Sequence, residues 1–419
     1  MSRAAYILDG ARTAFTKAGT DFRDVSATDL GRAAAVEAMA RSKVEPAEID
    51  QAIFGNIATP PDAANIGRVI ALRAGVPKEK PAHSVSRNCA SGIESVVQAA
   101  RLIQTGEADV VLAGGVECMS LIPFLYREDV KAVLVEAGMA KTAGARFGAF
   151  RKMPWKQLLN PVIGIKLGLT DPVCGLNMGE TAELLAKEGG LTREMQDAFA
   201  LRSHQRAQAA RERLAEEIVP VPLPPKFDKV ATLDNGVREG QTMEALAKLK
   251  PFFDRTYGSV TAGNSSQITD GAAAMVVASE DFVAKRGLPV LGRIAGWGVA
   301  GLEPERMGLG PSRSTPVALK HAGVAWKDVG LMEMNEAFAA QVLANLLAFE
   351  KDPSLGPVDP ETLNPNGGAI ALGHPVGASA TRLVLTLLRE MRRRKVAHGL
   401  ATLCIGGGQG ATIVLEGVA

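Results

Sequence analysis

Short apolar runs alternate with helix-period segments along this chain, and the alternation is laid down twice. Residues 5–8, 51–56 and 108–113 read as strands, with helical patterns over 29–41, 66–75 and 92–105. Strands separated by helices of that length imply parallel pairing in α/β layers. The order returns near the C-terminal end. Val44-Glu-Pro-Ala-Glu-Ile-Asp50, ahead of a strand, is matched 280 residues later by Val324-Ala-Trp-Lys-Asp-Val-Gly330. Cys89-Ala-Ser91, opening a helix, is matched 288 residues later by Gly377-Ala-Ser379. Offsets so nearly equal point to a duplicated half with a small indel. Chance similarity between two βα units is the alternative.

The stretch between the halves differs. It holds a basic, Gly-punctuated run, a helical segment over 192–217 and a Pro-rich loop over 219–225, and strand-like residues resume over 259–278. The expected organisation is an N-terminal half over 1–119 completed by 256–286, an inserted loop domain over 120–255, and a C-terminal half over 287–419. A length of 419 residues is ample for several cores. The net charge of +2 gives no global electrostatic footprint for nucleic acid. Cys89, Cys118, Cys174 and Cys404 are too far apart for a zinc ribbon or a disulfide framework. The first ten residues hold too short an apolar run for a secretory signal, and no stretch has the roughly 18 apolar residues of a spanning helix. A reduced, cytoplasmic setting is expected.

Two thiols and one imidazole stand out. Cys89 lies in Ser86-Arg-Asn-Cys-Ala-Ser-Gly92, where a β-like run meets a helix. The positive end of a helix dipole lowers a thiol pKa, and small neighbours leave room for a carbonyl and expose N–H groups for an oxyanion. A buried structural thiol is the alternative. Cys404 precedes Gly406, Gly407 and Gly408 in a loop expected to line a site; a strand rather than a helix follows, which disfavours a nucleotide reading. His374 is flanked by Gly373 and Pro375 in a shaped turn, whereas His83, His204, His321 and His398 read as core or surface residues. Asn335 ends an apolar strand, where α/β sheets bind ligands, although an ordinary helix N-cap would look the same. One thiol as nucleophile, the other as acid/base and an imidazole to activate a thiol suit acyl transfer between sulfurs.

From end to end the chain resembles the thiolases. The matching motifs are Ala11-Arg-Thr-Ala-Phe15, Asn88-Cys-Ala-Ser-Gly92, Ala113-Gly-Gly-Val-Glu-Cys-Met-Ser120, Met178-Gly-Glu-Thr-Ala-Glu183, Ala200-Leu-Arg-Ser-His204, Val260-Thr-Ala-Gly-Asn264, Asn335-Glu-Ala-Phe338, Gly373-His-Pro-Val-Gly-Ala-Ser379 and Cys404-Ile-Gly-Gly-Gly408. The resemblance implies an α/β thiolase fold, two pseudo-symmetric halves in five α-β-α-β-α layers with an inserted loop domain. It implies that Cys89 is the acylated nucleophile, His374 its base, and Cys404 the group that moves a proton to and from the acetyl Cα. Asn335 would hold a water that forms one oxyanion hole with His374, and the N–H groups of Cys89 and Gly406 would form the other. Met178, Asn177 and Ser266 would bind the substrate or CoA. Short-substrate relatives often carry His where this chain has Asn177, and the segment before Met178 is longer than in compact members. That long loop resembles the thiolase subunits of fatty-acid oxidation complexes, which often have His in place of Asn335.

The implied reaction is CoA-dependent cleavage of 3-ketoacyl-CoA, with acyl-CoA and CoA as partners and no resident cofactor or metal. Condensation of two acetyl-CoA is the runner-up, separated from it by pocket size. Decarboxylating ketosynthases usually lack the second thiol, and a non-enzymatic lipid-binding relative would have lost one of Cys89, His374 and Cys404. A homodimer or homotetramer is expected. Residues 131–166 carry seven basic side chains against Glu136 alone, with Phe147, Phe150 and Trp155 among them. Such a segment suits docking on an anionic membrane or a complex subunit, binding of CoA phosphates, or a plain solvated loop.

Overall fold

A computed structural model describes residues 3–418. The N-terminal half runs through β1 (Ala5–Arg12), α1 (Ala27–Ser42), β2 (Gln51–Gly55), α2 (Ile66–Arg73), β3 (Ala82–Val85), α3 (Ser91–Thr105) and β4 (Val110–Cys118). Helices α4 (Glu128–Met139), α5 (Ala143–Phe150), α6 (Met178–Glu188) and α7 (Arg193–Ala209) intervene before β5 (Thr269–Ser279). Then follow β6 (Gly292–Gly301), α8 (Gly310–Ala322), β7 (Leu331–Met334), α9 (Ala339–Lys351), α10 (Val376–Arg394), β8 (His398–Ile405) and β9 (Gln409–Gly417).

The duplication is visible in the strand order. The first half pairs β3-β2-β4-β5-β1 and the second β7-β8-β9-β6, the two meeting where Tyr6 and Ile7 pair with Arg293 and Gly292. Numbered within each half, the orders are 3-2-4-5-1 and 2-4-5-1, with parallel and antiparallel ladders in corresponding places. The missing third strand of the second half survives as one parallel bridge between Met332 and Leu363.

Period-2 alternation divides each strand between layers. In β4, Val111 and Ala113 join the cluster around α3 and α10, while Val110 and Leu112 face α1 and α2. The second sheet shares the central cluster through Leu403, Ile405 and Ile413 and meets α8 and α9 through Leu400 and Val414. The result is five layers, α-β-α-β-α, with α3 and α10 in the middle. A helix between two sheets has no face left for water, and α10 is buried from Gly377 to Leu388 without a break, its buried Arg382 donating to Glu333 at 2.9 Å. Strand and helix approach closely at glycines: a Cβ on Gly115 would stand 2.0 Å from Gly377 O.

Two expectations are corrected. The helical run over 192–217 is interrupted at Ala210, where α7 ends and a short helix, Arg211–Ala215, begins. The strand expected over 259–278 starts only at Thr269. Asn264 explains the delay: its Oδ1 accepts from Thr261 N at 2.8 Å and its Nδ2 donates to Asp197 Oδ1 at 2.9 Å, so side chains take the pairing a ladder would have used.

Candidate active site

The turn that presents Cys89 is held from both sides. Asn88 has φ of 44°, a left-handed value that Asn tolerates better than most residues. Ser91 Oγ accepts from Arg87 N at 2.8 Å and donates to Asn88 O at 2.7 Å. This strand-to-helix turn sets the half-buried Cys89 one residue before Ala90, the N-cap of α3. The N–H groups of Gly406 and of Cys89 itself point at the Cys89 sulfur. Asn88 Nδ2 donates to Gly406 O at 2.8 Å, fixing that peptide plane.

The lowered thiol pKa expected from the helix dipole is reversed. Burial pushes the Cys89 thiol up to about 11, against the two N–H groups that favour the thiolate. Removal from water outweighs a helix dipole that acts only over its first turn. Cys89 therefore rests as a thiol and needs a base when it reacts.

His374 is a neutral base with an assigned tautomer. Ser379 Oγ donates to Pro375 O at 2.9 Å, so at 2.6 Å it accepts from His374 Nδ1–H. That leaves Nε2 as the unprotonated nitrogen, its lone pair accepting from Asn335 Nδ2 at 3.4 Å. Burial first, then the charge of Arg382, lowers the imidazole to about 4. The ring stands at a turn only glycine fits: Gly373 has φ of 99°, and a Cβ there would lie 2.3 Å from Thr269 Cγ2.

Cys404 is a strand residue of β8, two before the hairpin turn at 406–408. It is buried, and its thiol is raised first by desolvation and then by the neighbouring Cys89 sulfur. Asn335 is buried at the end of β7, its N–H donating to Thr402 O at 3.0 Å, with its Oδ1 left without a protein partner. The remaining cysteines stand apart: Cys118 Sγ donates to Val25 O at 3.4 Å, and Cys174 lies half-buried in the inserted segment.

A cavity of about 460 Å³ is lined by Cys89, Gly406 and Met178. Ile57 and Met119 line it from the N-terminal half, and Ile122, Leu125, Ile165 and Leu169 from the inserted segment. Met178, the first residue of α6, lies against Gly406, where a Cβ would be 3.2 Å from the Met178 sulfur. Asn177 and Ser266 are not in this lining. Asn177 Oδ1 accepts from Gly179 N at 3.1 Å as the N-cap of α6, a fit that explains its residue type without a substrate. Ser266 N–H donates to Ala337 O at 2.9 Å, bracing the segment after Asn335.

Glu117 was missed as an individual residue, although its motif was noted. It lines the cavity, and its carboxylate accepts from Asn56 Nδ2 and Ala58 N on one oxygen and from Ile57 N and Gly377 N on the other, at 3.0–3.2 Å. It thereby fastens the N-terminus of α10, just past His374, to the first half beside Cys89. The available signal was a single charge in the otherwise apolar run 110–118.

Comparison with known proteins agrees with this architecture. Residues 5–281 match the model of the thiolase N-terminal domain and 288–417 that of the thiolase C-terminal domain. The 3-ketoacyl-CoA thiolase of Yersinia enterocolitica is 40% identical over 98% of this chain and 96% of its own. Human mitochondrial 3-ketoacyl-CoA thiolase, solved with CoA, superposes with a TM-score of 0.88 at 37% identity, covering 100% of this chain and 98% of the other. The acetyl-CoA acetyltransferase of Bacillus anthracis gives 0.89 at 35% identity, covering 100% and 99%. With both domain models spanning nearly its whole length, this chain belongs to the thiolase family.

Proposed function

We propose that this thiolase cleaves 3-ketoacyl-CoA with CoA, giving acetyl-CoA and an acyl-CoA two carbons shorter. The observation that carries the reading is the apolar cavity of about 460 Å³ opening on Cys89 and walled by Ile122, Leu125, Ile165 and Leu169. A two-carbon acyl group has no use for such walls, whereas an aliphatic tail is stabilised by about 0.8 kcal/mol per buried methylene.

In this reading Cys89 Sγ attacks the 3-carbonyl while His374 Nε2 takes its proton. The N–H groups of Cys89 and Gly406 receive one developing oxyanion, and Asn335 with His374 serves the other through a water. The C2–C3 bond breaks, Cys404 protonates the acetyl-CoA carbanion, and the shortened acyl group stays on Cys89. The CoA thiol then gives its proton to the Cys404 thiolate and takes the acyl group, and Cys89 recovers its proton from His374. CoA is a substrate, and the scheme uses no resident cofactor. Met178 contacts substrate beside Gly406, Asn177 and Ser266 support the site from behind, and 120–255 is the unit that covers the acyl tail. A homo-oligomer in the cytoplasm, acting in fatty-acid β-oxidation, fits this activity.

A thiolysis assay across 3-ketoacyl-CoA chain lengths tests the reading. Higher kcat/KM for longer chains than for acetoacetyl-CoA is expected. A maximum at acetoacetyl-CoA, with efficient condensation of acetyl-CoA, would favour the acetyltransferase reading that the Bacillus neighbour's name suggests.

A further inference from the structure

Of the 25 large apolar side chains exposed among the described residues, 13 fall within 121–167, and only Leu125 of these also lines the acyl cavity. The segment's own core is small: Val130, Val133 and Met153 pack with Leu158, apart from the clusters that hold the two halves. Phe147 is 68% exposed, Trp155 59% and Leu159 81%. Scattered surface apolars need no explanation, but a contiguous run of this density does.

Charge says what covers it. Residues 121–168 hold eight basic and three acidic side chains, a net +5, which leaves the rest of the chain at −3. Lys131 pairs with Glu128 and Lys152 with Glu136, while Arg127, Lys141, Arg151, Lys156 and Lys166 meet no carboxylate. A second copy docking face to face would oppose two +5 surfaces, which electrostatic complementarity disfavours. Exposed Trp and Phe interleaved with unpaired Lys and Arg is the composition of elements that lie in a lipid headgroup region. No helix among the described residues is long and apolar enough to cross a membrane, so the mode that remains is interfacial.

We infer that the face formed by α4, α5 and residues 155–167 docks this enzyme on an anionic lipid surface, basic side chains toward the headgroups and Phe147, Trp155 and Leu159 in the interface. The cavity walls Ile165 and Leu169 adjoin this face, so an acyl tail would reach Cys89 from the membrane side.

The test is cosedimentation of the full-length protein with vesicles of phosphatidylcholine mixed with phosphatidylserine, and of phosphatidylcholine alone. Binding to the anionic vesicles only, weakened by salt, is expected. The triple change Lys141→Gln, Arg151→Gln, Lys156→Gln should weaken it by roughly a hundredfold, at about fivefold per charge. The triple change Phe147→Ser, Trp155→Ser, Leu159→Ser should also weaken it. Both variants should keep the wild-type kcat and the KM for CoA. Absence of wild-type binding, equal binding to neutral vesicles, or full retention by both variants overturns the proposal. A raised KM for CoA with vesicle binding intact would assign the charges to CoA instead. A changed oligomeric mass in light scattering with vesicle binding intact would assign the face to a second copy.

Discussion

At the level of single residues, the site is a set of groups kept neutral until substrate arrives. Alkylation of the free enzyme by iodoacetamide at Cys89 should accelerate toward pH 11, not level off near neutrality, because burial holds the thiol up. His374 acts as a base only when unprotonated and is lowered to about 4, so the acid limb of kcat/KM should fall well below the ordinary histidine range near 6.5. An acid limb at 6.5 would remove His374 from that role. Cys404→Ala should lower turnover by on the order of 10²–10⁴-fold while Cys89 is still acylated, read by mass spectrometry. Glu117→Gln removes a charge that raises the Cys89 thiol and turns an amide N–H toward backbone donors. Faster alkylation of Cys89 at a fixed pH, together with a stability loss of about 1–3 kcal/mol, is the expected pair of results. Slower or unchanged alkylation would leave Glu117 a purely structural anchor.

At the level of elements, the glycines in the central layer matter for distance. Gly115 of β4 meets the start of α10, and a Cβ would be 2.0 Å from Gly377 O. Gly115→Ala should therefore cost at least the roughly 1–3 kcal/mol of an overpacked core, seen as a lowered Tm. Because α10 begins just after His374, it should also reduce kcat in the protein that still folds. An alanine variant with wild-type Tm and kcat would show that β4 and α10 separate freely. Element type was legible from periodicity in both halves. The extension of the first strand to Arg12, the late start of β5 at Thr269 and the break at Ala210 were not. Side-chain pairings such as Asn264 to Asp197, which join residues far apart in the sequence, decided the β5 boundary.

At the level of the whole molecule, buried charge ties the parts together. Arg12 of β1, fully buried, donates to Glu217 at 2.8 Å and to Asp234 at 2.7 and 2.8 Å, both from the inserted segment. Thr386 of α10 donates to the same Glu217 at 3.0 Å, so both halves and the insert share one carboxylate. Arg12→Met would leave two buried carboxylates uncompensated and should cost about 3–5 kcal/mol in denaturant unfolding. A loss below about 1 kcal/mol would mean that water reaches the site and replaces the guanidinium.

The repeated βα order, the two thiols, the Gly-flanked histidine and the duplicated half are written in local pattern, because periodicity and turn chemistry act within a few residues. The same local signals suggested a lowered thiol pKa at a helix start, and there the tertiary structure decided otherwise. Desolvation depends on what the rest of the chain packs around Cys89, which its neighbours in sequence do not specify. The tautomer of His374 follows from a serine five residues on whose orientation only the folded turn reveals. Glu117 belongs to the site because strand β4 and helix α10, 260 residues apart, end at one point. Chemistry-bearing residue types were fixed by the sequence; their charge states and neighbours were fixed by packing.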